Sequence, residues 1–379
     1  MSSKIRLGIL GGGGDSLIGV LHRVASSMYD QYQIVGGVFN PVWEENIGFV
    51  EKIGLPTNRV YIDFDTLVEE ELKLPEEDRM QVVSILTPNF LHFPMAKKLL
   101  ENGFNVICEK PMTTSYEEAK ILKATLQESG SLFAITYTYT GYPMIRQMRE
   151  MIANGDIGKV QKIDAQYYQG WINPIIHDKE KRANTWRLDP EKGGISCCIG
   201  DIGTHAFDMI EYVTQLKIGK VLSDLNYVYD DNQMDVDGTV LVRCTNGVKG
   251  LIRTSQIATG EENNFSVQIY GEKAGLKWEQ ENPNYLYLLE DGQPLRVLKP
   301  GHIYNSKLSL DGTKLPPGHP EGIFDSMGNI YKGVAKAIKG EPYNHGEFPT
   351  MSDGMRGMDF IERVVESHQK GNIWVNLDE

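Results

Sequence analysis

Short apolar runs alternate with helical patterns along the first third of the chain. Strands that alternate with helices of about ten residues indicate βαβ units and therefore a parallel sheet. Right-handed crossovers then place a ligand site at the carboxyl ends of the strands. The predicted strands are 5–10, 33–39, 81–87, 104–108 and 132–137, and the predicted helices are 17–28, 42–53, 93–102 and 116–129.

The second half of the chain shows a run of neighbouring strands with few helices, which indicates a mostly antiparallel sheet. The predicted strands are 161–169, 218–229, 237–245, 248–257, 265–271, 274–279, 284–289 and 294–298, before helices at 321–339 and 353–369. We therefore predict an α/β chain in two domains. Residues 1–135 form an N-terminal Rossmann domain with a doubly wound parallel sheet. Residues 136–379 form a C-terminal α+β domain with a large, mostly antiparallel open sheet.

Composition and charge narrow the class of protein. The 379 residues are 41% hydrophobic and 23% charged, as expected of a globular chain long enough for two domains. The net charge of −13 argues against a nucleic-acid partner, because phosphate would be repelled. No apolar run approaches the ~20 residues that span a bilayer. The start, Met1-Ser2-Ser3-Lys4, lacks the apolar segment of a signal peptide.

Cysteine usage indicates a reduced environment. The four cysteines show neither the paired spacing of a metal site nor the density of a secreted disulfide scaffold. We therefore expect buried thiols, with the adjacent Cys197 and Cys198 packed rather than joined. Together with the absence of an apolar span, this predicts a cytoplasmic protein without a membrane partner.

A glycine cluster that includes Gly11, Gly13 and Gly14 follows the first strand and precedes a helix. Glycine there lets backbone amides approach a pyrophosphate at the positive end of the helix. A flexible strand-to-helix turn is the alternative interpretation. At the end of the second strand, Asn40 stands where an acidic residue would bind the ribose 2′-hydroxyl, with no adjacent arginine for a 2′-phosphate. This favours NAD as the cofactor and leaves NADP open.

The segment Thr87-Pro88-Asn89, followed by His92, ends another buried strand at the predicted ligand edge. Pro88 and Asn89 favour a turn, while Thr87 and Asn89 offer groups for ribose or amide contacts. An ordinary turn with a helix cap would have the same pattern.

Glu109-Lys110-Pro111 follows the next buried strand. Proline restricts the backbone there and holds Lys110 in one place. A lysine whose pKa is lowered by burial or by a nearby cation can remove a hydroxyl proton while hydride leaves the same carbon. The alternative is a solvated lysine paired with Glu109.

Asp201 and His205 are four residues apart in a segment that enters a helical pattern, so they share a face. A carboxylate that orients an imidazole forms an acid/base or relay pair. Two other interpretations are open: Asp201 as a helix cap with His205 as a satisfied buried histidine, or a metal site, for which a third ligand is not evident.

A loop with Trp186 and Arg187 carries aromatic and cationic side chains suited to lining a sugar pocket. Tyr139 can stack on a pyranose face, although tyrosines at such spacing also occur as half-buried sheet residues. His177 and His319 have no predicted role.

In their order and spacing, the glycine loop, T-P-N-x-x-H, E-K-P and D-x-x-x-H resemble the Gfo/Idh/MocA oxidoreductases over essentially the whole chain. The resemblance implies a Rossmann domain that binds NAD(P) and a second domain for substrate and assembly, with homodimers or homotetramers through its sheet. It implies that Lys110 is the catalytic acid/base and that Asp201 and His205 bind the reacting hydroxyl. The residues it implies near the dinucleotide are Gly11, Gly13, Thr87, Pro88, Asn89, Glu109 and His92.

A finer resemblance concerns the long glycine loop G-G-G-x-x-x-x-I-G-x-x-H-R and the segment Gly318-His-Pro-Glu-Gly322. Both are similar to the glycoside and disaccharide 3-dehydrogenase branch, which implies hydride transfer between a sugar carbon 3 and nicotinamide. An inositol or nucleotide-sugar dehydrogenase, or a non-catalytic dinucleotide sensor, remains an alternative hypothesis.

Overall fold

The computed structural model describes residues 4–378; Met1–Ser3, on which the expectation about the chain start partly rests, and Glu379 lie outside them. The first strands form a five-stranded parallel sheet in the order β2-β1-β3-β4-β5. All residues of its central strand β3 are buried, as expected where helices cover both faces of a sheet. Its strands are β1 (Ile5–Gly11), β2 (Tyr32–Val38), β3 (Val82–Leu86), β4 (Asn105–Cys108) and β5 (Phe133–Ile135).

The second sheet has nine strands in the order β13-β12-β11-β10-β6-β9-β8-β7-β14, antiparallel except for the pair β6 and β9. Residues alternate between buried and less buried along its strands, so one face is covered. Its strands are β6 (Val160–Tyr168), β7 (Ile218–Asn226), β8 (Asp237–Cys244), β9 (Lys249–Ser255), β10 (Asn264–Gly271), β11 (Gly275–Glu279), β12 (Leu286–Leu289), β13 (Arg296–Leu298) and β14 (Val375–Asn376). The predicted fold class is confirmed.

The helices include several that the sequence pattern did not predict, among them α3, α6 and the short α7, α8, α9 and α11. The helices are α1 (Leu17–Ser27), α2 (Trp43–Lys52), α3 (Phe64–Lys73), α4 (His92–Glu101), α5 (Tyr116–Ser129), α6 (Pro143–Ala153), α7 (Asn173–Ile176), α8 (Lys179–Asn184), α9 (Pro190–Gly193), α10 (Thr204–Thr214), α11 (Lys307–Asp311), α12 (Ile323–Ile338) and α13 (Met351–Gln369). None of the helices within residues 4–378 is long and apolar enough to cross a membrane.

The described residues form two compact units whose segments alternate along the chain. The first unit contains the residues up to Thr113, Glu117–Gly141 and Ile323–Gly354, and the second contains Thr114–Tyr116, Tyr142–Gly322 and the residues from Met355 onward. Helix α12 belongs to the first unit because its apolar side chains, including Tyr331, are part of the core of the parallel sheet. The domain ranges 1–135 and 136–379 stay a prediction.

Candidate active site

The glycine loop after β1 lies against the end of β2. Gly13 donates its N–H to the Phe39 carbonyl at 3.0 Å, and a Cβ on Gly13 would lie 2.5 Å from that oxygen. Gly11 and Gly14 have φ angles of +82° and +58°, which favour glycine. The loop therefore requires glycine both for its backbone conformation and for its close approach to β2.

The same loop also touches the start of α1. A Cβ on Gly19 would lie 1.8 Å from the Gly12 carbonyl oxygen, and the Ser16 hydroxyl caps the helix by accepting the Gly19 N–H at 3.2 Å. The first N–H groups of a helix carry positive charge that suits a phosphate. A glycine backbone beside such a helix end, at the carboxyl edge of a parallel sheet, fits the predicted dinucleotide.

Asn40, at the end of β2, is engaged by its own neighbours. Its amide oxygen accepts the Val42 N–H at 2.8 Å, and its amide nitrogen donates to the Glu45 carboxylate at 2.7 Å. The structure therefore places an acidic side chain at the strand end, where the sequence shows only an amide. Sequence reasoning missed Glu45, although the acidic first turn of α2 was a visible signal.

His92 joins the loops that end β3 and β4. The ring is fully buried, and its two nitrogens lie 2.8 Å from the Pro111 carbonyl and 2.9 Å from the Thr87 carbonyl. Burial lowers the pKa of His92. The ring thus fixes the spacing of two segments, Thr87-Pro88-Asn89 and the Lys110-Pro111 turn. Direct contact of His92, Thr87, Pro88 or Asn89 with a dinucleotide stays a prediction.

Glu109 is the centre of a buried hydrogen-bond network. Its carboxylate accepts hydrogen bonds from His22 Nε2 at 2.9 Å and from the Thr136 hydroxyl at 2.5 Å. His22 Nδ1 lies 2.8 Å from the Tyr331 hydroxyl on α12. Burial raises the pKa of Glu109, but His22 and the charge of Lys110 outweigh burial and lower it to about 2. Glu109 is therefore a buried carboxylate, held by His22 of α1 and by Thr136 directly after β5.

Lys110 follows Glu109 directly after β4. The peptide bond between Lys110 and Pro111 is cis. The Lys110 side chain is half-buried, and its backbone N–H donates to the Glu109 carboxylate at 3.3 Å. Its charge acts on both Glu109 and His92. The backbone of Lys110 is thus held by Glu109, and its role as an acid/base group stays a prediction.

In the second unit, Asp201 lies in a π-helical turn, Ile199–Gly203, directly before α10. The sequence pattern predicted an ordinary helical entry. The buried Asp235 carboxylate accepts the N–H groups of Cys197 and Ile199 at 3.0 and 2.9 Å, so a side chain satisfies backbone donors of this segment. Turns of this type are frequent at functional sites.

The buried side chain of Gln256 orients Asp201. Its amide nitrogen donates to Asp201 Oδ2 at 2.8 Å, and its amide oxygen accepts from the Cys197 thiol at 3.3 Å. His205 is buried in the first turn of α10, with the Tyr167 ring 6.2 Å from its own. The segment of the second unit that carries Asp201 and His205 is therefore held from several directions. Gln256 was not predicted, because it lies far from Asp201 in sequence.

The predicted sugar-pocket residues fall in different units. Arg187 is stacked on Trp186 in the second unit, and its Nε lies 3.9 Å from Asp201 Oδ2. Tyr139 belongs to the first unit and is buried in a short helical turn. His177 contacts the Tyr229 hydroxyl at 2.8 Å. The exposed His319 contacts the Pro316 carbonyl at 3.2 Å.

Two family models match the chain: an oxidoreductase family with an NAD-binding Rossmann fold over residues 5–137, and the GFO/IDH/MocA C-terminal domain over residues 145–277. An uncharacterized oxidoreductase, YfiI of Bacillus subtilis (strain 168), is 32% identical over 386 residues, covering 100% of this chain and 98% of the relative. Glucose-6-phosphate 3-dehydrogenase of the same organism is 25% identical over 377 residues, covering 95% of each chain.

Among solved structures, an inositol dehydrogenase homolog from Azotobacter vinelandii in complex with NAD+ superposes with a TM-score of 0.92. It is 30% identical, and the match covers 99% of this chain and 98% of that one. The identity over whole chains agrees with the two family models and with the cofactor loop described above. The chain is thus an NAD-binding enzyme that belongs to the Gfo/Idh/MocA oxidoreductase family.

Proposed function

We propose that this enzyme oxidises a ring hydroxyl of a sugar or glycoside, at carbon 3, to the corresponding ketone. The observation that carries the proposal is the Asp201 carboxylate, held by Gln256 on the turn that leads into His205. A fixed carboxylate and an imidazole form the kind of pair that binds and polarises a hydroxyl. The similarity to glucose-6-phosphate 3-dehydrogenase over 95% of each chain supports carbon 3.

In this proposal each group of the protein has one task. The side-chain amine of Lys110 accepts the proton of the reacting hydroxyl, while His205, oriented by Asp201, hydrogen-bonds the hydroxyl oxygen. The C–H bond on the same carbon breaks and its electron pair leaves with the hydrogen, so that the C=O bond forms. NAD+, when bound, supplies the acceptor for that hydride. The proton on Lys110 then passes to water.

The residues that would hold NAD are those of the glycine loop and the β3 end. Gly11, Gly13 and Gly14 would lie under the pyrophosphate, and Thr87, Pro88 and Asn89 would line the nicotinamide side. Asn40 would position Glu45 through their hydrogen bond, and the Glu45 carboxylate can accept a hydrogen bond from a ribose hydroxyl. Glu109 and His92 would hold the backbone of the Lys110-Pro111 turn through their hydrogen bonds to it.

The experiment that tests the proposal is a substrate panel followed by the absorbance of reduced nicotinamide. NAD+ and NADP+ are each offered with methyl glucosides, free hexoses, sugar phosphates and inositols. We expect reduction of NAD+ with sugars and a product whose carbonyl is at carbon 3 by NMR. Oxidation at another carbon would contradict the proposed reaction at carbon 3. No reduction of either cofactor with any sugar would contradict the proposed substrate class.

A second candidate is a cyclitol dehydrogenase. The Azotobacter vinelandii protein has also been solved with NADH and myo-inositol, at 30% identity and a TM-score of 0.89. Lys110, Asp201 and His205 would have the same tasks on an inositol ring. Turnover of inositols in preference to every glycoside in the panel would favour this candidate.

The enzyme is further proposed to work in the cytoplasm as a homodimer or homotetramer, with copies meeting on the nine-stranded sheet. The less buried face of that sheet carries apolar side chains such as Leu241 and Leu289, which are 44% and 37% exposed. A face of this kind is suited to a second copy. Light scattering of the purified protein is expected to give a mass of two or four chains, and cell fractionation tests the location.

A further inference from the structure

Arg187 is held in the second unit by aromatic stacking. Its guanidinium carbon lies 4.4 Å from the centre of the Trp186 ring and 5.7 Å from that of Trp171. Its only ion pair within residues 4–378 is with Asp201, and no acceptor in that range receives a hydrogen bond from its side chain. With 38% of its side chain exposed, the guanidinium keeps N–H donors for a ligand.

Arg182, in the same unit, is a stacked arginine whose N–H groups do form hydrogen bonds within the protein. It also stacks on an aromatic ring, that of Tyr229, at 4.8 Å. Its donors, however, reach the Ile176 carbonyl at 3.1 Å and the Asp231 carboxylate at 3.2 Å, and its side chain is 14% exposed. Stacking alone therefore does not distinguish Arg187. The difference is that no residue described by the structure accepts a hydrogen bond from the side chain of Arg187.

The geometry of Arg187 suits an oxyanion. A planar guanidinium offers parallel N–H groups that match a carboxylate or phosphate in a bidentate way, and stacking on indole fixes its plane. The nitrogen nearest to Asp201 is Nε, at 3.9 Å, so both Nη nitrogens lie farther from that carboxylate. A second anion can thus bind the same guanidinium without direct contact with Asp201.

Charge supplies an independent reason for such a group. The whole chain has a net charge of −13, and Asp201 itself adds a carboxylate where the sugar is proposed to bind. Both would repel an anionic sugar. A cation beside Asp201 lowers that repulsion locally, and a neutral sugar would not require one.

We propose that Arg187 is the subsite for an anionic substituent of the substrate, a phosphate ester or a carboxylate on the sugar whose hydroxyl meets Asp201 and His205. The inference rests on the proposed function and narrows its substrate class from glycosides in general to acidic sugars. Trp186 and Trp171 hold the guanidinium and complete the wall of the subsite.

The test compares glucose 6-phosphate, glucuronic acid and methyl glucoside on the wild type and on Arg187→Met, Arg187→Lys and Arg182→Met. We expect the wild type to prefer one of the acidic sugars. Arg187→Met should raise KM for that sugar by roughly 10- to 100-fold, the effect of losing a charged bidentate contact, and lower kcat/KM for methyl glucoside by a clearly smaller factor. Arg187→Lys should give an intermediate KM, because lysine keeps the positive charge but lacks the paired N–H donors of the guanidinium.

The matched control, Arg182→Met, removes a stacked arginine whose donors are already used, so the preference should not change. An equal loss of kcat/KM on acidic and neutral sugars in Arg187→Met would mean that Arg187 only orients Asp201, and would overturn the subsite. Equal kcat/KM of the wild type on all three sugars would also overturn it. A preference for glucose 6-phosphate assigns a phosphate, and one for glucuronic acid assigns a carboxylate.

Calorimetry keeps failure of the proposed function separate from failure of the subsite. Glucose 6-phosphate and glucuronic acid are titrated into the wild type and Arg187→Met in the presence of NADH. No turnover with any sugar would overturn the proposed function, whereas tighter binding of either acid by the wild type would still support the subsite. Equal Kd values for both acids in the two proteins would overturn it.

Discussion

Gln256 donates a hydrogen bond from its side-chain amide to Asp201 across 55 positions of sequence, at 2.8 Å. Gln256 is fully buried, and its amide oxygen is held in turn by the Cys197 thiol. An amide whose two ends are both engaged has one orientation, so it presents its N–H to one oxygen of the carboxylate. Gln256 thereby fixes the orientation of the Asp201 carboxylate.

Replacement of Gln256 by leucine should lower kcat/KM for the sugar by roughly 10- to 100-fold, because a hydrogen bond to a charged group is lost. Binding of NADH should not change, since the proposed cofactor residues belong to the first unit. Kinetics and calorimetry on the same preparation check both expectations. Gln369→Leu, an exposed position at the end of α13, is the control. A loss of NADH affinity in Gln256→Leu would indicate general damage instead.

Lys110→Ala and His205→Ala should each reduce turnover by roughly 10²- to 10⁴-fold, as expected for acid/base groups. Added small primary amines should partly restore Lys110→Ala, because they replace the missing amine. Steady-state rates with and without amine make the measurement. The exposed Lys123 provides the control substitution, Lys123→Ala. Full activity in both active-site variants would refute their proposed roles.

Glu45→Gln should weaken NAD+ binding relative to NADP+ by roughly 10-fold, because a carboxylate accepts ribose hydroxyls and repels a 2′-phosphate. Equilibrium titration of each cofactor, without any sugar, measures the ratio of the two Kd values. Glu44→Gln alters the neighbouring exposed carboxylate and should leave the ratio unchanged. If both substitutions shift the ratio equally, the preference for NAD+ depends on the overall negative charge of α2 and not on a contact with Glu45.

Glu109→Gln should remove a pH-dependent part of the stability. The pKa of Glu109 falls from 4.5 to about 2 on folding, so the unfolded chain binds more protons between these values. The stabilisation is complete above pH 4.5 and is lost as the pH falls towards 2; it amounts to at most about 3 kcal/mol. Urea unfolding of both proteins from pH 7 downward should show their free energies converging.

The exposed Glu101 on α4 supplies the control for that experiment, because Glu101→Gln removes a carboxylate whose ion pair with Lys97 is in solvent. Its unfolding curve should run parallel to that of the wild type. A constant difference between Glu109→Gln and the wild type at all pH values would mean that the Glu109 carboxylate does not titrate at a depressed pKa.

Gly13→Ala should abolish cofactor binding, because a Cβ 2.5 Å from the Phe39 carbonyl forces the loop away from β2. Overpacking of this kind costs about 1–3 kcal/mol of folding free energy. Gly48→Ala is the matched control: its Cβ meets nothing within 4 Å, and alanine is the better helix former within α2. Calorimetric titration with NAD+ and thermal unfolding distinguish the two. Unchanged NAD+ affinity in Gly13→Ala would place the dinucleotide elsewhere.

Features that depend on neighbours in sequence were predictable. The order of β1, the glycine loop and α1 follows from apolar runs and glycine, and so does the position of Lys110 at a strand end. The alternation in the second half predicted the antiparallel sheet. These patterns are local because backbone conformation and amphipathic periodicity are set within a few residues.

The tertiary structure alone decided which distant groups meet. Tyr331 reaches His22 across 309 positions, and no local pattern marks either as the partner of the other. Glu45 becomes the acidic residue of the β2 end only because Asn40 turns towards it. The π turn at Asp201 depends on the buried Asp235 carboxylate. Such contacts arise from packing, because a buried polar group must form its hydrogen bond with whichever element lies nearest in space. Local sequence patterns do not show which element that is.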